Sequence, residues 1–296
     1  MTAGRAGLAG RAGGYSGRAD RPFGATGPLT VRLLGVTEAR RMLWHPANAV
    51  ALAATVLAVA SIIFSGESTQ RPPATIAYAA LLLLGTVFYP LATVVAANRV
   101  AGATSRRSVR EAMTVTPTQE RRRTMALCLG VLTGPVVVGV GIMLLIAAVG
   151  PFGPNGDGLA ARTLLELLQI SVTVLGGGLL GVALARWVAF PGVLALVVLG
   201  PWFGHFAVAT TLSTDGAVVH GPAWLGLMPT WLFSDATMAA RSPLPQEMWH
   251  LVYLVGLSLL AGVAALLHAP GRRRPLLLAG AGIAVLTGVA AVLQLG

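Results

Sequence analysis

Seven stretches of about 17 to 25 residues in this chain are almost entirely apolar, which is the length at which a helix crosses a lipid bilayer. Only 10% of the 296 residues are charged, against roughly a quarter in an ordinary soluble domain. Too little polar surface is left to coat a water-soluble globule. The sequence therefore predicts an all-α, polytopic transmembrane helix bundle. The predicted spans are Ala47–Phe64, Thr75–Ala97, Met125–Val149, Leu164–Ala185, Gly192–Leu212, Leu251–Leu267 and Pro275–Leu295.

The arginines are distributed very unevenly between the loops that connect these runs. With the N-terminus inside, the cytoplasmic segments hold 18 arginines, and the external segments hold only Arg71, Arg162 and Arg241. Short basic loops stay on the cytoplasmic side of a membrane. We therefore predict a multi-pass protein of the cytoplasmic membrane with its N-terminus inside and its C-terminus outside. Six spans, with the last run not inserted, would place the C-terminus inside instead. The predicted cytoplasmic segments are 1–46, 98–124, 186–191 and 268–274.

All 21 basic residues are arginines, and only ten acids balance them, for a net charge of +11. In a soluble protein this charge would suggest nucleic-acid binding. Here the arginines cluster between apolar runs, which suits membrane orientation better, so we predict no nucleic-acid partner. Residues 1–28 have no apolar signal region and are rich in Gly, Ala and Arg, which predicts a disordered basic tail. The single cysteine, Cys128, excludes an intrachain disulfide.

Residues 98–124 form the loop with the clearest local signals. Ser108 and Glu111 match a capping box, and Thr116 with Gln119 matches a second one that has Pro117 at the first helical position. The two boxes predict a short helix over 109–115, followed by a new helix that runs into the third span. Val109, Ala112 and Met113 share one face of the short helix, with arginines nearby. This pattern indicates a docking element, and a basic helix resting on lipid headgroups is the alternative.

Two further connecting segments mix apolar and polar residues. The spacing of Leu, Val and Arg over 29–44 suits a helix that lies along the inner surface before the first span. The external insertion, 213–248, contains two tryptophans, Trp224 and Trp231, with prolines and acids. It is too interrupted to span, so an interfacial or re-entrant helix on the outer side is expected.

Ionisable or amide side chains inside membrane spans are candidates for function, because burying them in lipid is costly. The sequence offers Glu166 and Gln169 near the outer end of the fourth span, and His205 in the fifth. Glu166 also suits a solvated first turn, and the other two could line a path or bond between helices. The scarcity of buried acids disfavours an ion-coupled carrier. Without lysine the chain holds no Walker A loop, and it has neither a G-x-S-x-G nor an H-E-x-x-H motif.

The order of these parts resembles the permease subunits of type-2 ABC transporters (ABC-2 exporters), of the actinobacterial type. RRMLWHP at Arg40–Pro46 precedes the first span, and SRRSVREAMTVTPTQERRR at Ser105–Arg123 follows the second. The second stretch is similar to the family's "E-L-L-x-A-T-P-x-x-x-R-R" loop. The resemblance covers residues 30–268. It implies a six-span core over 29–268, to which this chain adds a further transmembrane helix over 269–296.

The resemblance also implies how such a chain works. Residues 30–44 correspond to the elbow helix, and Trp224–Ala240 correspond to an external re-entrant hairpin. The loop helix corresponds to a coupling helix that binds a separate cytoplasmic ATPase subunit, and a second permease copy, identical or not, completes the complex. No catalytic residue, cofactor or metal is expected in this chain, because ATP and Mg would be bound by the ATPase. The implied ATPase contacts are Arg106, Arg107, Ser108, Val109, Arg110, Glu111, Ala112, Met113 and Val115.

The expected function is therefore ATP-driven export of an amphipathic or hydrophobic substrate, such as a lipid, peptide or drug-like molecule, across the cytoplasmic membrane. Glu166, Gln169 and His205 are the candidates for lining its path. Two other readings stay open. The chain could be an accessory membrane protein without a transport path, or a membrane-embedded enzyme, which would need polar groups that converge in space.

Overall fold

A computed structural model describes residues 28–64, 83–103, 120–149, 164–188, 192–197, 199–200, 227 and 244–295. Every regular element within these ranges is helical, as the apolar runs predict, and none is a strand. The predicted coupling helix and the candidate path residue His205 lie outside these ranges. The helices are α1 (Pro28–Leu43), α2 (Pro46–Phe64), a π-helical stretch (Leu83–Phe88), α3 (Tyr89–Ala103), α4 (Glu120–Val131), α5 (Thr133–Val149), α6 (Leu164–Trp187), α7 (Leu244–His268) and α8 (Arg274–Leu293).

Five helical segments among the described residues are long and apolar enough to cross a membrane. They correspond to the second, third, fourth, sixth and seventh predicted spans. The first predicted span is helix α2, whose clearly apolar part, Pro46–Ala58, is shorter. Of the fifth, only 192–197 and 199–200 are described, and both pieces are helical. The five segments are Leu84–Ala103, Glu120–Leu144, Leu168–Trp187, Glu247–His268 and Arg274–Leu293.

Two irregularities in these spans occur next to prolines. The π-helical stretch ends at Phe88, two residues before Pro90, and the helix of the third span is interrupted at Leu132, three residues before Pro135. Proline has no N–H to donate and its ring crowds the carbonyl four residues earlier, so a regular α-helix is disrupted there. At the second site the Thr133 hydroxyl donates to the Gly130 carbonyl at 2.8 Å, which satisfies one acceptor near the break.

Helix α6 is the centre of the bundle, and its three consecutive glycines each contact a different helix. A Cβ on Gly176 would lie 2.8 Å from the hydroxyl of Ser258 on α7, and one on Gly177 would lie 2.8 Å from the carbonyl of Pro90 on α3. Gly178 packs directly against Val131 on α4. In lipid, small residues let helix backbones approach closely. The triplet is therefore a site of close packing between α6 and three neighbouring helices.

The helix directions follow from residue pairs in contact. Gly177 and Gly181 on α6 contact Pro90 and Val94 on α3, so these two helices run parallel. Helix α7 also runs parallel to α6. On these two helices Ser258 pairs with Val172, and Gly262 pairs with Leu179. Helices α4 and α5 run antiparallel to α6. Val131 on α4 contacts Gly178, whereas Gly134, later in the chain on α5, contacts the earlier residue Val174.

Helix α8 runs antiparallel to α7 and packs at the edge of the bundle. Gly256 contacts Thr287, and Gly280 contacts Val263, which fixes the pairing of the two helices. Only 11% of the apolar window of α8 is buried, against 50% for α6. The additional helix predicted after the six-span core is therefore present in the structure as a peripheral helix.

One end of the bundle gathers the start of α4 and α8 and the last turns of α3, α6 and α7. We call it the basic end, because the described arginines lie on these segments and on α1. The main apolar core lies toward this end. It consists of Met42, Ala97, Ala101, Leu127, Val131, Leu179, Val182, Ala183 and Ala265.

Candidate functional site

Helix α1 is fixed to the basic end by close backbone packing against α4. A Cβ on Gly130 would approach within 3.0 Å of the Ala39 nitrogen, and one on Gly35 would lie 3.3 Å from the Leu129 Cβ. Met42, near the end of α1, is buried in the main core. Contacts at these two glycines therefore hold α1 against the first residues of the third predicted span. Helix α1 is the helix that the sequence predicted before the first span.

The outer face of α1 is apolar and flanked by charge. Leu29, Leu33 and Val36 recur at helical spacing on one side, and all three are largely exposed. Arg32 and Arg40 lie beside this stripe and are exposed as well. A helix with a buried inner face, an apolar outer stripe and flanking arginines is suited to the boundary between headgroups and acyl chains. The helix predicted over 29–44 is therefore present, and its role as an elbow helix stays a prediction.

Two pairs of an acid with an arginine are described at the basic end. Glu38 on α1 bonds Arg41 at 3.2 Å, and Glu120 at the start of α4 lies 3.8 Å from Arg186 at the end of α6. Arg121 lies against Gly271, whose φ of +141° is a backbone conformation that favours glycine. These contacts tie the start of α4 to the end of α6 and to the turn between α7 and α8.

The predicted coupling helix falls on residues that the structure does not describe. Its flanks are described: α3 ends at Ala103 and α4 begins at Glu120, both at the basic end. The segment 104–119 therefore leaves and re-enters the bundle at this end. The roles of its residues, Arg106, Arg107, Ser108, Val109, Arg110, Glu111, Ala112, Met113 and Val115, stay predictions.

Two of the candidate path residues, Glu166 and Gln169, are on α6 toward the opposite end, and the structure describes them unevenly. Gln169 on α6 is fully buried, and neither its amide nitrogen nor its amide oxygen has a hydrogen-bond partner in the described part of the chain. Glu166 lies on α6 one turn earlier, but its side chain is outside the description. His205 is outside it altogether. The described residues therefore do not test whether these three side chains lie together, and their role in a path stays a prediction.

A buried polar pair that the sequence analysis did not single out joins α7 to α8 at this opposite end. The His250 Nδ1 and the Gln294 Oε1 lie 2.9 Å apart, and both side chains are buried. Because an amide oxygen only accepts, Nδ1 carries the proton in this pair. Glu247, one turn before His250, is also buried. The Tyr253 hydroxyl donates to the Leu227 carbonyl at 2.9 Å, which ties Leu227, within the insertion predicted to be external, to the same region of α7.

The polar pair was missed because the sixth predicted span begins at Leu251, whereas α7 begins at Leu244. The last five residues of the predicted external insertion therefore belong to this helix. The signal was present in the sequence: Pro245 and Glu247 are residues typical of a first helical turn. Gln294 lies at the far end of the chain, and only the antiparallel pairing of α7 and α8 places it beside His250.

Within the described ranges, no group of three or more His, Cys, Asp or Glu side chains is arranged to hold a metal ion. No protein-family model matches this chain, and no curated protein sequence matches it either. The proposal below therefore depends on the residues themselves and on the family resemblance of the loop and span order.

Proposed function

We propose that this chain is the membrane-spanning permease subunit of an ATP-driven ABC-2 type exporter. The observation that supports the proposal most directly is the close packing of α1 against the second half of α4 through Gly35 and Gly130. An elbow helix packed at this position flanks the segment 104–119, where the ATPase would bind. The six-span core with a seventh helix, and the docking role of the loop, are parts of this proposal.

The proposed orientation has the basic end in the cytoplasm and the C-terminus outside. It is supported by the gathering of the described arginines near one end, because basic segments flanking spans are retained inside. It is also supported by the direction of the helices. Because α6 and α7 run parallel, the chain between Trp187 and Leu244 has to return from the basic end to the opposite end. A fifth span over 192–212 would provide that crossing.

The proposed mechanism is mechanical. ATP and Mg are bound by the separate ATPase, whose closure pushes on the loop 104–119 and rocks two permease copies against each other. Packing between α3 and α6 suits this transmission. The Asn98 amide nitrogen donates to the Gly181 carbonyl at 3.3 Å, and the Thr93 hydroxyl lies 3.5 Å from the Val174 carbonyl. A displacement of the loop would thus reach α6 through α3 as well as through α4.

The proposed substrate is amphipathic or hydrophobic, such as a lipid, a peptide or a drug-like molecule. Support comes from the scarcity of charge in the described spans, where buried polar side chains are mostly hydroxyls and amides. A small hydrophilic solute would find few polar partners along such walls. A transport assay in which only hydrophilic solutes move would contradict this part of the proposal.

The test is co-purification of an ATPase from the native membrane under gentle detergent extraction. We expect a stoichiometric partner that contains a Walker A sequence and gives the complex ATP hydrolysis that the isolated chain lacks. Arg107→Glu combined with Arg110→Glu should release the partner and abolish this hydrolysis, because two attractive charges on the docking helix become repulsive.

The matched control is Arg272→Glu combined with Arg273→Glu, which reverses two exposed charges at the same end but outside the loop. We expect this control to keep the ATPase. Equal release by both pairs would show that the loop is not the specific contact. If no ATPase associates with the unmodified chain, the reading as an accessory membrane protein gains support instead.

A further inference from the structure

A groove of about 590 Å³ opens between α2, the π-helical stretch and α5. Its volume falls within the range of roughly 300–1,000 Å³ that is typical of ligand sites. Most of its lining is apolar and includes Leu52 on α2, Leu84 on the π-helical stretch, and Val137 and Ile142 on α5. It is lined by a different set of helices from the polar pair at α7 and α8.

The groove spans about one leaflet. Its lining on α2 extends from Pro46 to Thr55, which at 1.5 Å per residue is about 14 Å. The hydrocarbon core of a bilayer is about 30 Å thick, so this length is close to half of it. The Pro46 end lies at the corner between α1 and α2, where the Asn48 amide nitrogen donates to the Met42 carbonyl at 2.8 Å. The groove therefore begins at the corner between α1 and α2 and reaches Gly85, which contacts Ile170 toward the opposite end of α6.

The mouth of the groove carries hydrogen-bond donors and positive charge. Trp44 lines it and is 82% exposed, which is typical of an indole at the headgroup level. His45 Nδ1 accepts from the Ala47 N–H at 3.2 Å, so in the neutral ring Nε2 carries the proton and donates. Partial burial and the nearby charge of Arg99 lower the pKa of His45, and Arg99 itself is exposed.

An anion is the complementary ligand for this mouth. Among the described residues that line the groove there is no Asp or Glu, while Arg99 and the His45 Nε2–H are available as donors near its opening. Each basic residue near a membrane surface attracts anionic lipid by about 1 kcal/mol. An apolar slot of one-leaflet length below a cationic mouth matches a molecule with an anionic head and an acyl tail.

We propose that this groove binds one acyl chain of an anionic phospholipid, with the headgroup held near Arg99, His45 and Trp44. Lipid binding at this site needs no ATPase and no transport activity, so it can be tested independently of the proposed export function. A neutral lipid without preference, or a helix from a second copy of the chain, are the alternative occupants that the experiment distinguishes.

The test compares retention of phosphatidylglycerol with that of phosphatidylcholine of the same acyl chains, by native mass spectrometry of the delipidated full chain. Gly141 lines the groove, and a Cβ placed on it meets nothing within 4 Å, so Gly141→Leu should fill the groove without a clash inside the protein. The matched control is Gly282→Leu on α8, where an added Cβ also meets nothing within 4 Å.

We expect the unmodified chain and Gly282→Leu to bind one phosphatidylglycerol in preference to phosphatidylcholine. Gly141→Leu should weaken this binding more than about tenfold, because several buried methylene groups lose their site. Arg99→Gln should leave the groove open but reduce the preference for phosphatidylglycerol by about fivefold, which corresponds to about 1 kcal/mol. If Gly141→Leu does not accumulate as folded protein, Ala49→Trp fills the groove from α2 and should give the same loss.

Three results would overturn the proposal. Equal retention of the two lipids by the unmodified chain would show that the mouth does not select an anion. Unchanged retention in both groove-filling variants would place the lipid elsewhere. Conversion of a dimer to a monomer by Gly141→Leu, without a change in lipid retention, would show that a second copy occupies the groove.

Discussion

Helices α6 and α8 have similar lengths and both consist largely of apolar residues, yet one is the centre of the bundle and the other lies at its edge. Helix α6 contacts α3, α4 and α7 through three consecutive glycines. Helix α8 packs mainly on α7, and an added Cβ on two of its glycines, Gly282 and Gly288, would meet nothing within 4 Å. The two helices therefore use glycine in opposite ways.

The difference shows that hydrophobicity does not decide which helix is central. The mean hydropathy of the span in α6 is 1.8, and that of α8 is 2.4, so the more apolar helix is the peripheral one. In lipid the acyl chains are as apolar as the side chains, and helices associate through close packing and hydrogen bonds instead. The position of a helix in this bundle follows from where its small and polar residues face a neighbour.

The largest expected effect is at Gly178. A methyl group from Gly178→Ala overlaps Val131, and forcing extra volume into a packed interface costs about 1–3 kcal/mol of the free energy of unfolding. We expect a clear drop in melting temperature in detergent. Val131→Ala in the same chain should recover part of the loss, because it removes the overlapping methyl groups. A double variant as unstable as the sum of the two single ones would contradict this contact.

The next effect is at the polar pair between α7 and α8. His250→Ala leaves the buried Gln294 oxygen without this donor and should cost about 1–2 kcal/mol. Gln294→Ala should behave similarly, and the double variant should cost less than the two single effects added together. The measurement is a double-mutant cycle on the unfolding free energy in detergent. Strict additivity would mean that the 2.9 Å contact does not hold α8 to α7.

A smaller effect is expected at Trp187, at the end of α6. Its indole N–H donates to the Ala264 carbonyl on α7 at 2.8 Å, although the side chain is largely exposed. Trp187→Phe keeps an aromatic ring and removes the donor, so a loss of about 0.6 kcal/mol is expected, the average for a hydrogen bond between membrane helices. Trp187→Leu, measured beside it, separates the loss of the bond from the loss of ring contact with His268.

The smallest effect should come from Gly282→Ala on α8. An added methyl group meets no protein atom, and alanine favours the helical backbone over glycine. We expect a melting temperature that is unchanged or slightly higher than that of the unmodified chain. A destabilisation as large as that of Gly178→Ala would show that α8 has a packed partner on this face, and the contrast between the two helices would fail.

The sequence was sufficient to predict several features, because each depends on local chemistry. Apolar run length predicted the helices of the described spans, and Pro90, Pro135 and the three consecutive glycines are local signals for the two irregularities and for close packing. The neighbour that each glycine meets was not predictable, since it depends on how helices far apart in the chain are arranged.

The candidate site was predictable to a smaller extent. The spacing of Leu29, Leu33 and Val36 indicated the surface helix α1, but nothing local indicated that Gly35 and Gly130 would meet. The pairing of His250 with Gln294 and the groove at Gly141 depend on contacts between helices that a reading along the chain does not supply. The coupling helix over 109–115 stays a prediction from its capping boxes.

The interruption at Leu132 has a mechanical consequence. Because Pro135 has no N–H, the carbonyl of Val131 lacks its usual donor, and the bond from the Val136 N–H to the Leu132 carbonyl is long at 3.5 Å. Bending stiffness is therefore lowest where α4 gives way to α5. Helix α4 packs against α1, while α5 packs against α6 and forms one wall of the groove. A change in the angle between α4 and α5 would therefore change the width of the groove.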